Sequence, residues 1–131
     1  MTVILADHNL KGQAQLILAF LAAEGWLEAF PLLLITFGDV GLAINTDDRT
    51  LWRYCQTHRM VLLTANHNMK DADSLEQTIR EENAETSLPV VTIANLERLD
   101  EYGYREECAL RLLEIVLEIE KYLGTGRLYI P

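Results

Sequence analysis

Thr2-Val3-Ile4-Leu5-Ala6-Asp7-His8-Asn9 and Met60-Val61-Leu62-Leu63-Thr64-Ala65-Asn66-His67-Asn68 nearly repeat each other. Each opens on a short apolar run that reads as a buried strand, closes on a polar cluster and leads into a segment able to form a helix. In a parallel α/β sheet, ligands collect outside the carboxyl ends of strands, most often where the strand order reverses. The two ends, Asp-His-Asn and Asn-His-Asn, are therefore expected to place their polar side chains around one crevice.

Working outward, Asn9 to Ala23 is strongly apolar and stops at Gly25, a helix terminator. Leu32 to Phe37 reads as a second strand, and Gly38-Asp39-Val40-Gly41 as a turn. Asn45-Thr46-Asp47-Asp48 opens a helix running to His58, with Leu51, Trp52, Tyr54 and Cys55 at helical spacing. Ser74-Leu75-Glu76-Gln77 is a capping-box pattern that starts a helix ending near Asn83. Leu88 to Ile93 is a further strand, with Pro89 tolerated at its start. Tyr104 to Leu123 is the longest predicted helix, and Arg127 to Pro131 a last strand. Alternating strands and helices predict an α/β fold: one doubly wound domain over residues 1–131, with a mostly parallel sheet of about four to five strands and helices on both faces.

The 131 residues are half hydrophobic and a quarter charged, an ordinary globular balance. The longest apolar run, Ala29 to Phe37, is about half of what spans a bilayer, so no membrane segment is expected. The chain enters a strand without a leader pattern, and Cys55 and Cys108 read as reduced core thiols, pointing to a cytoplasmic protein. The net charge of −9 argues against a general nucleic-acid coat, but its distribution is uneven. Residues 1–48 carry −5, residues 49–70 carry +4 through Arg49, Arg53, Arg59 and Lys70, and residues 71–131 carry −8. The basic block either holds a phosphate backbone beside the crevice or is a solvated helix face.

Several chemistries are excluded by what is missing. There is no phosphate-binding glycine loop, no GxGxxG after the first strand, no GxSxG elbow and no cysteine spacing for structural zinc. What remains is acids and amides near strand ends: Asp7, Asp47, Asp48, Asp71 and Asp73. Carboxylates converging from several elements suit Mg²⁺ or Mn²⁺, which can activate water and offset charge on a phosphodiester. Asp47 or Asp48 equally suits the N-terminus of its helix, and Asp73 or Ser74 the cap of the next. His8 and His67 hold matching places and offer two further routes, a general acid and base pair or, with Asp7, ligands to Mn²⁺, Fe²⁺ or Zn²⁺. Otherwise they are two partly exposed loop histidines. His58 reads as a partner of its helix dipole.

A first strand ending in Asp-x-Asn, a Gly-rich turn, and an aspartate before a strand ending in Thr together resemble the PIN-like family, which includes the PIN-domain ribonucleases and VapC-type toxins. Asp7-His8-Asn9 stands where that family shows Asp-Glu-Asn. Asp48 with Leu51 and Trp52 matches an aspartate followed by an apolar pair in a helix. Thr64-Ala65-Asn66-His67-Asn68-Met69 stands for Thr-x-Asp-x-Asp-Phe, so two acids are amides here. The resemblance covers residues 2–75 and implies a parallel sheet with an acidic metal site and metal-dependent RNA cleavage.

The resulting expectation is an Mg- or Mn-dependent endoribonuclease. Asp7 and Asp48 are its principal ligands, and Asn66 with Asp71 or Asp73 completes the site. Asn9, Thr64, Asn68, His8 and His67 orient water or substrate, while Arg49, Arg53 and Lys70 hold phosphates. Its alternative is a catalytically inactive PIN-like module that keeps the pocket for a nucleic acid or a protein. The toxin resemblance implies an antitoxin as one such partner, and the apolar breadth of residues 105–123 suggests a homodimer contact.

Overall fold

The computed structural model describes residues 1–65 and 74–131. Five parallel strands form one sheet: β1 (Thr2–Ala6), β2 (Leu32–Ile35), β3 (Val61–Thr64), β4 (Val90–Ile93) and β5 (Arg127–Ile130), in the order β2-β1-β3-β4-β5. The fold is α/β and doubly wound. Because β1, β3 and β4 are covered on both sides, their sequences are continuous apolar runs rather than alternating ones. Alternate residues part to two cores. Ile4, Ala6, Val61, Leu63, Val91 and Ile93 face one, and Leu5, Leu62 and Val90 the other.

Helices α1 (Lys11–Ala23) and α6 (Tyr102–Leu117) cover the first face, and α4 (Asp48–Thr57) and α5 (Leu75–Glu82) the second. Two short helices, α2 (Trp26–Ala29) and α3 (Phe37–Val40), flank β2 in the chain. The step from β1 to β2 runs one way across the sheet under α1. The steps to β3 and β4 run the other way under α4 and α5, which gives all three the same hand. Parallel crossovers are almost always right-handed. The last step, β4 to β5, continues in the same direction but carries α6 on the first face, so its hand is opposite.

Two glycines make the return into β5 feasible. Gly124 and Gly126 have φ of +82° and +85°, where a side chain is strained. A Cβ on Gly124 would also meet the Glu85 backbone at 3.1 Å. Asn83 secures the same turn by donating from Nδ2 to the Gly124 carbonyl at 2.8 Å.

Several boundaries differ from expectation. Strand β2 ends at Ile35 rather than Phe37, and the expected turn is a helical one over Phe37–Val40. Asp39 reaches back to accept from the Thr36 N–H at 2.8 Å, and Gly41, at φ +73°, stops the turn. Helix α6 starts at Tyr102 and gives way to a 3-10 turn over Ile119–Tyr122. Part of its broad apolar surface is buried in the first core, through Cys108, Ala109, Leu112 and Ile115, while Leu110 and Leu117 stay exposed on the other side. Among the described residues, no helix is long and apolar enough to cross a membrane.

Candidate functional site

Strand order reverses between β1 and β3, and the carboxyl ends of these two strands carry the candidate site. The Asp7 N–H extends the ladder by one residue, donating to the Leu63 carbonyl at 2.9 Å. The Asp7 carbonyl then accepts from Leu10 N–H at 2.9 Å, closing a 3-10 turn that carries His8 and Asn9. On the neighbouring strand Thr64, fully buried, donates from its hydroxyl to Asp7 Oδ2 at 2.7 Å. The pair holds one carboxylate orientation at the crevice.

A cavity of about 450 Å³ opens there. Asp7, His8, Asn9 and Leu10 line it from the end of β1, and Ala65 and Leu96 follow β3 and β4. Phe37 of α3, Ile44 and Thr46 of the next loop, and Asp48 at the start of α4 close its other side. Adjacent aspartates at that helix start have separate tasks. Asp47 is the cap, accepting from the Thr50 N–H at 2.7 Å and the Thr50 hydroxyl at 3.1 Å, and these bonds hold its carboxyl below the usual range. Asp48 lines the cavity, and its Oδ2 accepts from the Leu75 N–H at 3.1 Å, tying the starts of α4 and α5 together.

The structure thus brings Asp7, His8, Asn9 and Asp48 to one cavity, with Thr64 behind Asp7. Asn66, His67, Asn68, Lys70, Asp71 and Asp73 lie outside the described residues, and so does the expected pairing of the two histidines. Arg49 and Arg53, expected to hold phosphates, both pair with glutamates of α5. Arg49 pairs with Glu82, and with Glu81 at 3.1 Å, while Arg53 reaches Glu82 at 2.7 and 2.9 Å. These guanidiniums bind α4 to α5. The Glu82 carboxyl is held below its usual range, first by the Arg53 hydrogen bond. His58 sits at the C-cap of α4, its ring stacked on Tyr54 at 4.1 Å.

Phe37, Ile44, Thr46 and Leu96 are cavity residues that sequence patterns did not single out. Thr46 had a weak signal as part of the helix-opening Asn45-Thr46-Asp47-Asp48, whereas the apolar three had none. Both cysteines are free and buried. Burial pushes the Cys55 thiol up to about 12, with a smaller push from the Asp7 charge, and the Cys108 thiol up to about 11. Neither is a nucleophile near neutrality.

Comparison with family models, curated proteins and solved structures returns no match for this chain. The carboxylates of the cavity are hard oxygen donors of the kind that suit Mg²⁺ or Mn²⁺, and Mg²⁺ commonly takes one or two carboxylates and keeps several waters. Among the described residues, no cluster of three or more His, Cys, Asp or Glu side chains is placed to hold a metal.

Proposed function

We propose that the crevice is a hydrolytic site for RNA phosphodiesters, working with Mg²⁺ or Mn²⁺ held by Asp7 and Asp48. The observation that carries this reading is the convergence of two carboxylates from separate elements on one cavity at the reversal of strand order. A divalent cation bound there supplies positive charge to the phosphodiester and an activated water. Asp7 is restrained by the Thr64 hydroxyl, so its orientation is set before anything binds. His8, half-buried on the same wall, can donate to or accept from water or a phosphate oxygen. Asn9, exposed at the rim, offers an amide to substrate. Asn66, His67, Asn68, Lys70, Asp71 and Asp73 belong to the proposed set from the segment between β3 and α5.

A second reading, an inactive binding pocket, is favoured by one observation: the described carboxylates of the cavity number two rather than three or more. Melting of chelator-treated protein with and without Mn²⁺, wild type beside Asp7→Asn, separates the two. Under the hydrolytic reading Mn²⁺ raises the wild-type melting temperature and leaves Asp7→Asn unmoved, and only the wild type cleaves RNA. Wild-type melting indifferent to millimolar-range Mn²⁺ sinks that reading and leaves the binding pocket.

A further inference from the structure

Beside the acidic cavity lies a smaller one of about 230 Å³. His8, Phe37 and Ile44 line both and form the wall between them. Beyond that wall the lining turns mainly apolar, with Leu42 and Ala6. The His8 and Phe37 rings stand 5.9 Å apart, tilted by 43°. Ile44 is 72% exposed, a large aliphatic side chain left in water at the lip of both cavities. Its loop is not slack. Thr46 gives the Ala43 carbonyl both its N–H at 3.0 Å and its hydroxyl at 2.6 Å, and Leu42 N–H bonds the Phe37 carbonyl at 3.0 Å. Ile44 is thus presented at the lip in advance of any ligand.

Charge gives an independent indication of what binds. No lysine or arginine lines either cavity among the described residues. Arg49, Arg53, Arg80, Arg98, Arg111 and Arg127 pair with glutamates. Arg59 and Arg105 bond backbone carbonyls. Cations spent in this way are poor grips for a polyphosphate backbone, the usual source of nucleic-acid affinity. What the smaller cavity does offer is mainly aliphatic surface from Leu42 and Ile44 beside the half-buried His8 ring, with the buried Phe37 behind it, a lining suited to the flat face of an unstacked base.

We propose that the smaller cavity is a nucleobase subsite. In it, the base attached to the phosphate at Asp7 and Asp48 seats against His8, Phe37 and Ile44. This rests on the phosphodiester reading of the larger cavity and narrows it: the substrate is single-stranded RNA, since a base within a helix is not free to enter. Affinity then depends more on the base than on the backbone, and the salt dependence is shallow.

The test is fluorescence anisotropy in chelator, with a short labelled single-stranded RNA and the same strand made abasic, on wild type and Ile44→Ser. Wild type is expected to bind the intact strand about tenfold or more tighter than the abasic one. Ile44→Ser should lose most of that difference, bind the abasic strand as wild type does, and keep the Mn²⁺ melting shift. Equal binding of both strands by wild type, or wild-type behaviour of Ile44→Ser, overturns the subsite while a persisting Mn²⁺ shift leaves the hydrolytic reading standing. If neither strand binds and Mn²⁺ has no effect, the hydrolytic reading falls and takes the subsite with it.

Discussion

The α4–α5 clamp and the β1–β3 crevice treat their carboxylates in opposite ways. Glu82, on α5, lies between the guanidiniums of Arg49 and Arg53. Asp7, at the end of β1, receives the neutral hydroxyl of Thr64 and faces a cavity. A charge met by a guanidinium is absorbed into the architecture. One oriented by a neutral donor keeps its field for a ligand. Asp47 also has neutral donors, the Thr50 N–H and hydroxyl, but they belong to its own helix start and it is not among the cavity residues, whereas its neighbour Asp48 lines the cavity. Acidity alone does not mark a site; what matters is what the acid is given to hold.

The sharpest way to break the comparison is to neutralise one acid in each region. Asp7→Asn should abolish RNA cleavage and the Mn²⁺ melting shift while the metal-free melting temperature stays near that of wild type. A variant that still cleaves would remove Asp7 from the chemistry. Thr64→Val deletes the hydroxyl behind Asp7 and keeps its shape. We expect kcat/KM to fall by about 10–100-fold and the Mn²⁺ shift to shrink. A purely structural hydroxyl would lower stability and leave cleavage by the folded protein unchanged.

Away from both regions, Gly124→Ala places a Cβ against the Glu85 backbone at positive φ. Denaturant unfolding should report a loss of about 1–3 kcal/mol, with the Mn²⁺ shift intact. The smallest effect belongs to the clamp. Glu82→Gln should cost less than about 1 kcal/mol at neutral pH, because water screens this partly exposed cluster. The folded carboxyl lies below its ordinary 4.5, so its contribution is fully present above that pH and is lost as pH falls through the folded value. Unfolding at neutral pH and well below 4.5 should therefore show the wild type losing more stability than Glu82→Gln. Equal losses would mean that the clamp contributes nothing.

The strands beneath the crevice were readable because burial on both faces imposes unbroken apolar runs, as at Val3-Ile4-Leu5 and Val61-Leu62-Leu63. Asp7 was readable because a polar residue directly after such a run has to emerge at the sheet's end. The partners of Arg49 and Arg53 were not readable, because helical spacing displays cations but not the glutamates about thirty residues later that meet them. Gly38-Asp39-Val40-Gly41 was readable as a turn but not as a helical one, since the Thr36–Asp39 capping that closes it resembles loop chemistry. Phe37 and Ile44 carry no polar mark at all, and only the folded loop brings them to the cavity wall. The opposite hand of the last crossover is also invisible to pattern, because strand and helix alternation never says which face a helix takes.

That last crossover also governs the order in which the molecule can be completed. The partner that covers α1 on the first face is α6, which lies some eighty residues further along the chain. During synthesis, the residues of β1 and β3 emerge while Ile17 and Leu21 of α1 still await the α6 residues that help bury them. Because the same core buries Ile4 and Val61 beneath the crevice, the strand ends gain their support only when α6 arrives, and until then the apolar face of α1 is the kind of surface on which aggregation starts.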